Sequence, residues 1–285
     1  MIDLHVHTTM SDGTLSPAEV VRYASRQGLK AIAVTDHDTV AGVLPAQREG
    51  DRLGIEVVAG VEISSHWAHG ILHVLGYFIL LDDPDLLTCL EFLKKGRLDR
   101  VPRIIARLED CDVHISLDDV NQVAAGGVPG RPHVATVLVQ KGHAKKLQDA
   151  FDRYLKKGRH GYVEKVKLQP AEAIKVISRA GGVPVLAHPY SLNEEQFHRM
   201  EKILAELMEY GLKGIEAYHP KHTEKQTQAY LELAEKLRLV VTGGTDFHGT
   251  NKPEVELGVF PASEPLPYTL LAKLKDSRLK GQPAL

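Results

Sequence analysis

Histidines and carboxylates recur where apolar runs of this 285-residue chain end. His5-Val6-His7 comes first, with Asp12 close behind in Ser11-Asp12-Gly13. Thr35-Asp36-His37-Asp38 follows, then Glu62, His73, His188 in Leu-Ala-His-Pro, and Asp246-Phe247-His248. Imidazole and carboxylate are the donors that borderline divalent transition metals accept. His5 and His7, two apart on a strand, point to the same side and can ligate one ion. Asp246 and His248 repeat that spacing after the turn Gly243-Gly244. Glu62 closes the apolar run Val57–Val61, and its two oxygens can bridge two ions. Taken singly, Asp12 reads as a turn residue, and His73 and His188 read as satisfied core histidines. Taken together, the set points to a multinuclear metal site at one mouth of a barrel, and so to hydrolysis.

The elements that must position these residues alternate between strand and helix, the pattern of a parallel α/β architecture. Strands are predicted at Ile2–Val6, Ala31–Thr35, Glu56–Ile63, Ile71–Leu80, Val183–Ala187, Gly214–Ala217 and Leu239–Thr242. A Ser-Pro-Ala-Glu cap at Ser16–Glu19 opens one helix, and Gln169-Pro-Ala-Glu172 opens another. Further helices are expected at about 41–53 and 223–237. From Pro84 to Lys157 no strand is evident. Residues 96–160 read as a mainly helical insertion, capping a barrel built from 1–95 and 161–285. Polar residues after each apolar run fit an active site at the carboxyl ends of barrel strands. The tail, Lys280–Leu285, reads as frayed.

Bulk composition narrows the class. Apolar residues make up 43% and charged residues 25% of the chain, as in a soluble globular protein. The longest apolar stretch, Ile71–Leu81, is too short to cross a bilayer, and no signal-like segment opens the chain. Cys89 and Cys111, both expected in helices, lack metal-binding spacing, so a reducing cytoplasm is expected. The net charge of −2 conceals an asymmetry, because Lys94–Lys167 carries 16 Lys and Arg against 9 Asp and Glu. A basic segment beside an acidic metal site suits an anionic substrate. Arg97, Arg100, Arg103 and Arg107 recur at helical spacing and read as one face, either solvated or guiding an oligonucleotide backbone. Tyr77, Tyr190 and Tyr218 are candidates for base stacking. The remaining histidines, His66, His69, His114, His143, His160, His198 and His222, read as surface residues.

These motifs, in this order, resemble the polymerase and histidinol phosphatase (PHP) family. That resemblance implies a distorted (β/α)₇ barrel and up to three divalent ions, with manganese foremost and zinc or iron as alternatives. By analogy, one ion would take His5, His7, Glu62 and Asp246. A second would take Asp12, His37 and His248, and a third Glu62, His73 and His188. Gly130-Arg-Pro-His133-Val-Ala135 and Tyr162-Val-Glu-Lys165 extend the likeness to the family's nucleoside 3′,5′-bisphosphate phosphatases, which overlap with the 5′→3′ exonuclease RNase AM. Glu164 stands where those proteins commonly carry Pro.

The expected activity is hydrolysis of the 3′-phosphoester of nucleoside bisphosphates, or 5′→3′ trimming of short 5′-phosphorylated RNA or DNA. Hydroxide generated on the metals would attack, since coordination lowers the pKa of water. Arg131 is expected to grip phosphate as a fork and Lys165 as a point charge. His133 would orient phosphate, and His219 would assist the leaving group. Neither a protein partner nor a membrane is expected. Histidinol-phosphate hydrolysis is the alternative enzyme, and a metal-stabilised accessory module is the non-enzymatic one.

Overall fold

The computed structural model describes residues 1–193, 199–261 and 264–280. Seven strands form one sheet in chain order: β1 (Ile2–Val6), β2 (Ala31–Val34), β3 (Glu56–Ser65), β4 (Leu72–Tyr77), β5 (Val183–Leu186), β6 (Gly214–Tyr218) and β7 (Val240–Gly243). The sheet curls until its first strand meets the segment after its last. Val6 bridges Phe247, His7 N–H donates to the Phe247 carbonyl at 3.0 Å, and Asp246 N–H donates to that of His5 at 2.9 Å. β1, β2 and β3 run parallel, as do β5, β6 and β7.

β4 departs from the expected all-parallel arrangement, because it is antiparallel to both β3 and β5. The cause is the short 66–71 connection, which holds no helix, whereas a parallel crossover needs about a dozen residues or more. β3 and β4 therefore pair as a hairpin, which carries β3 on to Ser65. The reversal also brings the amino end of β4 to the mouth where the parallel strands end. His73, its second residue, thereby joins groups at the far ends of the other strands.

Helices pack outside the sheet. α1 (Pro17–Arg26) starts on Ser16, whose hydroxyl accepts from Glu19 N–H while the Glu19 carboxylate accepts from Ser16 N–H. α2 (Val43–Leu53) ends on Gly54 in the left-handed region. After β4 come α3 (Pro84–Leu98), α4 (Arg100–Glu109), α5 (Leu117–Ala124), α6 (Arg131–Gln140), the short α7 (Leu147–Ala150) and a π-turn at Phe151–Leu155. Val101, Ile104, Leu108, Val134 and Leu138 are buried in an apolar cluster of their own within this stretch. α8 (Pro170–Arg179) then returns the chain to the sheet, and Ile174 and Ile177 pack with Val61, Val74 and Leu186. Fully burying each such side chain contributes about 1.5–3 kcal/mol, so sheet and helices lock the strand ends in register. Cys89 lies in α3, but Cys111 falls in the turn beyond α4, and both are free thiols. The expected frayed tail lies outside the described residues beyond Lys280. No helix among the described residues is long and apolar enough to cross a membrane.

Candidate metal centre

Glu62, fully buried near the end of β3, is the hub of the strand-end cluster. Its Oε2 lies 3.3 Å from His5 Nε2, 3.2 Å from His7 Nε2 and 2.9 Å from His37 Nδ1. Its Oε1 lies 2.6 Å from His73 Nδ1 and 2.9 Å from His188 Nε2. Asp246 Oδ1 faces the same pair of β1 histidines, at 3.6 Å from His5 and 3.3 Å from His7. Asp12 Oδ1 stands 3.2 Å from His248 Nε2, and Oδ2 stands 3.9 Å from His37 Nε2. Three sets thus have ligand atoms within 4.8 Å of one another: His5, His7, Glu62 and Asp246; His7, Asp12, His37 and His248; and His37, Glu62 and His73. His188 touches the third set through Glu62 and lies 3.2 Å from His73 Nδ1. All nine candidate ligands come together.

The donors fit divalent ions on grounds beyond proximity. His5 Nε2, His7 Nε2, His37 Nδ1 and Glu62 Oε2 are buried without a hydrogen-bond partner among the described residues. Each such group costs about 1–3 kcal/mol if left unsatisfied, and a cation satisfies all of them at once. The opposite ring nitrogens are held from behind. His5 Nδ1 meets Glu216 Oε1 at 3.0 Å, and His188 Nδ1 meets Ser191 Oγ at 2.9 Å. His248 Nδ1 donates to the Asp246 carbonyl at 2.7 Å. Such contacts fix the tautomer and leave Nε2 with its lone pair toward the centre. Burial pushes His37 down to about 3, so that ring is neutral and free to ligate. Burial also opposes ionisation of Glu62, but His73, His5 and the hydrogen bond from His188 outweigh it and hold the carboxyl well below its usual range.

A ring of supporting residues was given no role by the motif reading. Glu216, inside β6, accepts from His5 Nδ1 and, at 2.6 Å, from His188 N–H. A lone carboxylate in the apolar run Gly-Ile-Glu-Ala-Tyr was the available signal. Asp36 accepts from the backbone and hydroxyl of Thr8 and, at 2.6 Å, from Ser11 Oγ, anchoring the loop that carries Asp12. Asp3 binds Thr245 Oγ1 at 2.6 Å and Gly258 N–H at 2.9 Å, anchoring the loop that carries Asp246. Lys252 pairs with Asp246 Oδ2 at 2.5 Å and so leaves Oδ1 facing the histidines. The backbone here includes left-handed positions. Asp38, His188 and Asp246 all hold positive φ, at 55°, 24° and 56°. Gly244 cannot be replaced cheaply, because an added Cβ would lie 2.2 Å from His5 Cβ.

The substrate-side candidates spread over two neighbouring cavities. One, of about 170 Å³, is lined by Asp12, His37 and His73 on the barrel side, and by Arg131, His133 and Lys165 on the other. Arg131 donates to the Leu155 carbonyl at 3.2 Å. His133 Nδ1 accepts from Gly130 N–H at 3.0 Å, which leaves its Nε2 as the donor. Lys165 pairs with Asp38 Oδ2 at 2.6 Å, and burial lowers its ammonium to about 8 despite that carboxylate. His219 is buried at the mouth, its Nε2 lying 3.8 Å from Asp246 Oδ2. Its Nδ1 accepts from Lys221 N–H at 3.1 Å, so the proton sits on Nε2, which has no hydrogen-bond partner among the described residues.

Several surface expectations are corrected. The four arginines do not share a face, because the helix breaks at Asp99. Arg97 and Arg100 are only 6% and 5% exposed, Arg97 pairing with Asp38 at 2.8 Å and Arg100 donating to the Val163 carbonyl. Arg103 is exposed, while Arg107 is tied to the Tyr162 carbonyl. Tyr77 is fully buried and donates to the Leu4 carbonyl at 2.9 Å, so it cannot stack on a base. Tyr190 and Tyr218 are part-buried. His222 is buried against Tyr190 and Tyr230, its Nδ1 bound to the Ala217 carbonyl. His66, His69, His114 and His160 are exposed, His143 is half-buried, and His198 lies outside the described residues.

Comparison with known proteins agrees with this geometry. Over 260 residues, 90% of the chain is 34% identical to 87% of the 5′-3′ exoribonuclease Rnm of Escherichia coli. The same share is 30% identical to 90% of the 3′,5′-nucleoside bisphosphate phosphatase of Chromobacterium violaceum. The phosphoribosyl 1,2-cyclic phosphate 1,2-diphosphodiesterase of Eggerthella lenta is 33% identical over 87% of this chain and 94% of its own. Among solved structures, a Bifidobacterium adolescentis protein described as a metal-dependent phosphoesterase superposes with a TM-score of 0.85 at 30% identity, covering 97% of this chain and 96% of its own. Residues 3–165, which carry six of the nine clustered ligands, match the PHP domain, and the chain belongs to the PHP domain family.

Proposed function

We propose that this phosphoester hydrolase acts on nucleotides with two phosphates, holding the 5′-phosphate beside α6 while the 3′-phosphoester is cut at the metal centre. Its substrates would be nucleoside 3′,5′-bisphosphates and short 5′-phosphorylated oligonucleotides. One observation carries the reading. Arg100, Arg131 and Lys167 line the smaller cavity, and none has a carboxylate partner among the described residues. Burial and the charge of Arg131 push Arg100 down to about 9, a cost that a bound anion would relieve. Arg131, Pro132 and His133 open α6, whose N-terminus adds a favourable dipole. The cavity is large enough for a phosphate group and too small for a nucleotide.

Divalent ions held by the nine ligands would activate water and neutralise phosphoryl oxygens; we propose up to three, with manganese foremost. The chain's own groups do the rest. Arg131 fixes the unreacted phosphate and so places the 3′ ester by one nucleotide's length. In both substrates the P–O3′ bond breaks, water supplies the new P–O bond, and O3′ leaves with a proton. The two differ only in whether the attacked phosphorus also carries the remaining strand. His219, neutral with Nε2–H aimed into the mouth, donates a hydrogen bond to the departing O3′. The stretch 96–160 serves as the cap that brings the basic groups over the barrel. Histidinol phosphate has one phosphate and leaves this cationic cavity without a role. The free thiols Cys89 and Cys111 suit a reducing cytoplasm.

A panel of adenosine 3′,5′-bisphosphate, histidinol phosphate and 5′-phosphorylated RNA, each assayed with exchanged metals, tests the reading. The bisphosphate and the RNA should be cleaved with kcat/KM at least tenfold above histidinol phosphate. The reverse order would overturn it.

A further inference from the structure

A second cavity of about 750 Å³ also opens on the centre, reaching Asp12, His37 and His248. It shares Asp12, His37, Pro132 and Phe151 with the smaller one, so the two meet at the candidate ligands. Its size is that of a ligand site, against room for little more than a phosphate on the other side. Three exposed lysines line it from both halves of the fold. Lys145 and Lys146 precede α7, and Lys221 follows β6. None of the three has an ion-pair partner among the described residues, unlike Lys252, which is taken by Asp246. The only lining carboxylates are Asp12, occupied with His248 and His37, and Glu254. Phe151, from the π-turn, adds a ring at the junction.

From this arrangement we infer that the larger cavity is a subsite for the downstream strand, in which Lys145, Lys146 and Lys221 track the phosphates beyond the bond that is cut. The inference rests on the two-phosphate reading above. It makes these lysines specificity residues, separating oligonucleotide trimming from bisphosphate hydrolysis without touching either reacting atom. A nucleoside bisphosphate ends at the scissile phosphate and reaches none of them. A longer strand must continue from that phosphate away from the small anion cavity, and the larger, lysine-lined one is the route on offer. The contacts are electrostatic and indifferent to base, as expected for single-stranded backbone tracking.

The test compares the metal-loaded full chain with the triple variant Lys145→Ala, Lys146→Ala, Lys221→Ala. Substrates are adenosine 3′,5′-bisphosphate and a 5′-phosphorylated adenylate hexanucleotide, each across a salt series. Three lost phosphate contacts at about 0.7 each should flatten the log–log salt slope of hexanucleotide kcat/KM by about 2, and near physiological salt should raise its KM roughly 10- to 50-fold. KM and kcat for the bisphosphate should stay within about twofold. Equal losses on both substrates would place the first nucleotide in this cavity, and no loss on the hexanucleotide would leave the lysines without a strand; either overturns the inference. Wild-type protein that cleaves the bisphosphate and not the hexanucleotide would also overturn it. Wild-type protein inactive on both would instead remove the two-phosphate reading on which it stands.

Discussion

Glu216 touches no substrate in this account, yet removing one of its oxygens should cripple the metal centre. Oε1 accepts from His5 Nδ1 at 3.0 Å, and Oε2 accepts from His188 N–H at 2.6 Å, both in a fully buried setting. Glu216→Gln keeps the volume and replaces one acceptor with an NH₂ donor. If the amide oxygen faces His5, the NH₂ opposes the His188 N–H, leaving a buried donor unsatisfied at about 1–3 kcal/mol. If the amide is flipped, the NH₂ faces His5 Nδ1 and drives the ring proton to Nε2, where the lone pair must serve the metal. Neither orientation preserves both contacts. Loss of a partner of this kind costs about 10- to 100-fold in metal affinity, or roughly 1.4–2.8 kcal/mol. Calorimetric titration of metal-free protein with manganese, alongside kcat and circular dichroism, reads the effect. The expected outcome is weakened binding and proportionately reduced turnover, with the fold intact. Wild-type affinity and rate in Glu216→Gln would refute the claim that Glu216 sets the His5 tautomer.

Glu62→Ala should lose metal and activity together while circular dichroism is unchanged, since both carboxylate oxygens face the candidate ligands; retained turnover would remove its bridging role. Arg131→Ala should raise KM for adenosine 3′,5′-bisphosphate about 10- to 100-fold, the cost of a charged hydrogen bond of about 1.5–3 kcal/mol, and should spare a simple aryl phosphate. Equal losses on the two substrates would assign Arg131 to the chemistry or the fold. Gly244→Ala should push His5 off its position, and reduced metal stoichiometry by elemental analysis checks this. Tyr77→Phe should cost about 0.5–1.5 kcal/mol in denaturant unfolding, the worth of its bond to the Leu4 carbonyl, with no change in KM.

The strands and the ligand motifs were legible because both are local signals. A two-residue His spacing and a run such as Val57–Val61 state their face and burial within a few positions. The orientation of β4 was legible only by counting the connection at 66–71, and the alternating pattern masked it. Glu216, Asp3 and Asp36 act through contacts 25 to 255 residues away along the chain, so single-sequence spacing could not assign their partners. The arginine series shows the opposite failure. Its helical periodicity holds only within α4, which carries Arg100, Arg103 and Arg107, and the break at Asp99 turns Arg97 toward Asp38 and sends Arg100 to Val163. His222 was misplaced because it lies past the strand end and belongs to no ligand motif, so it reads as a surface residue, whereas it folds back under Tyr190.

The most direct test of the metal-centred account is anomalous X-ray diffraction from crystals of the manganese-loaded protein. Peaks should appear at coordination distance, about 2.0–2.3 Å, from ligand atoms of His5, His7, Glu62 and Asp246, and from those of Asp12, His37 and His248. Fully loaded crystals with no peak among these residues, or with peaks only elsewhere on the chain, would contradict the assignment.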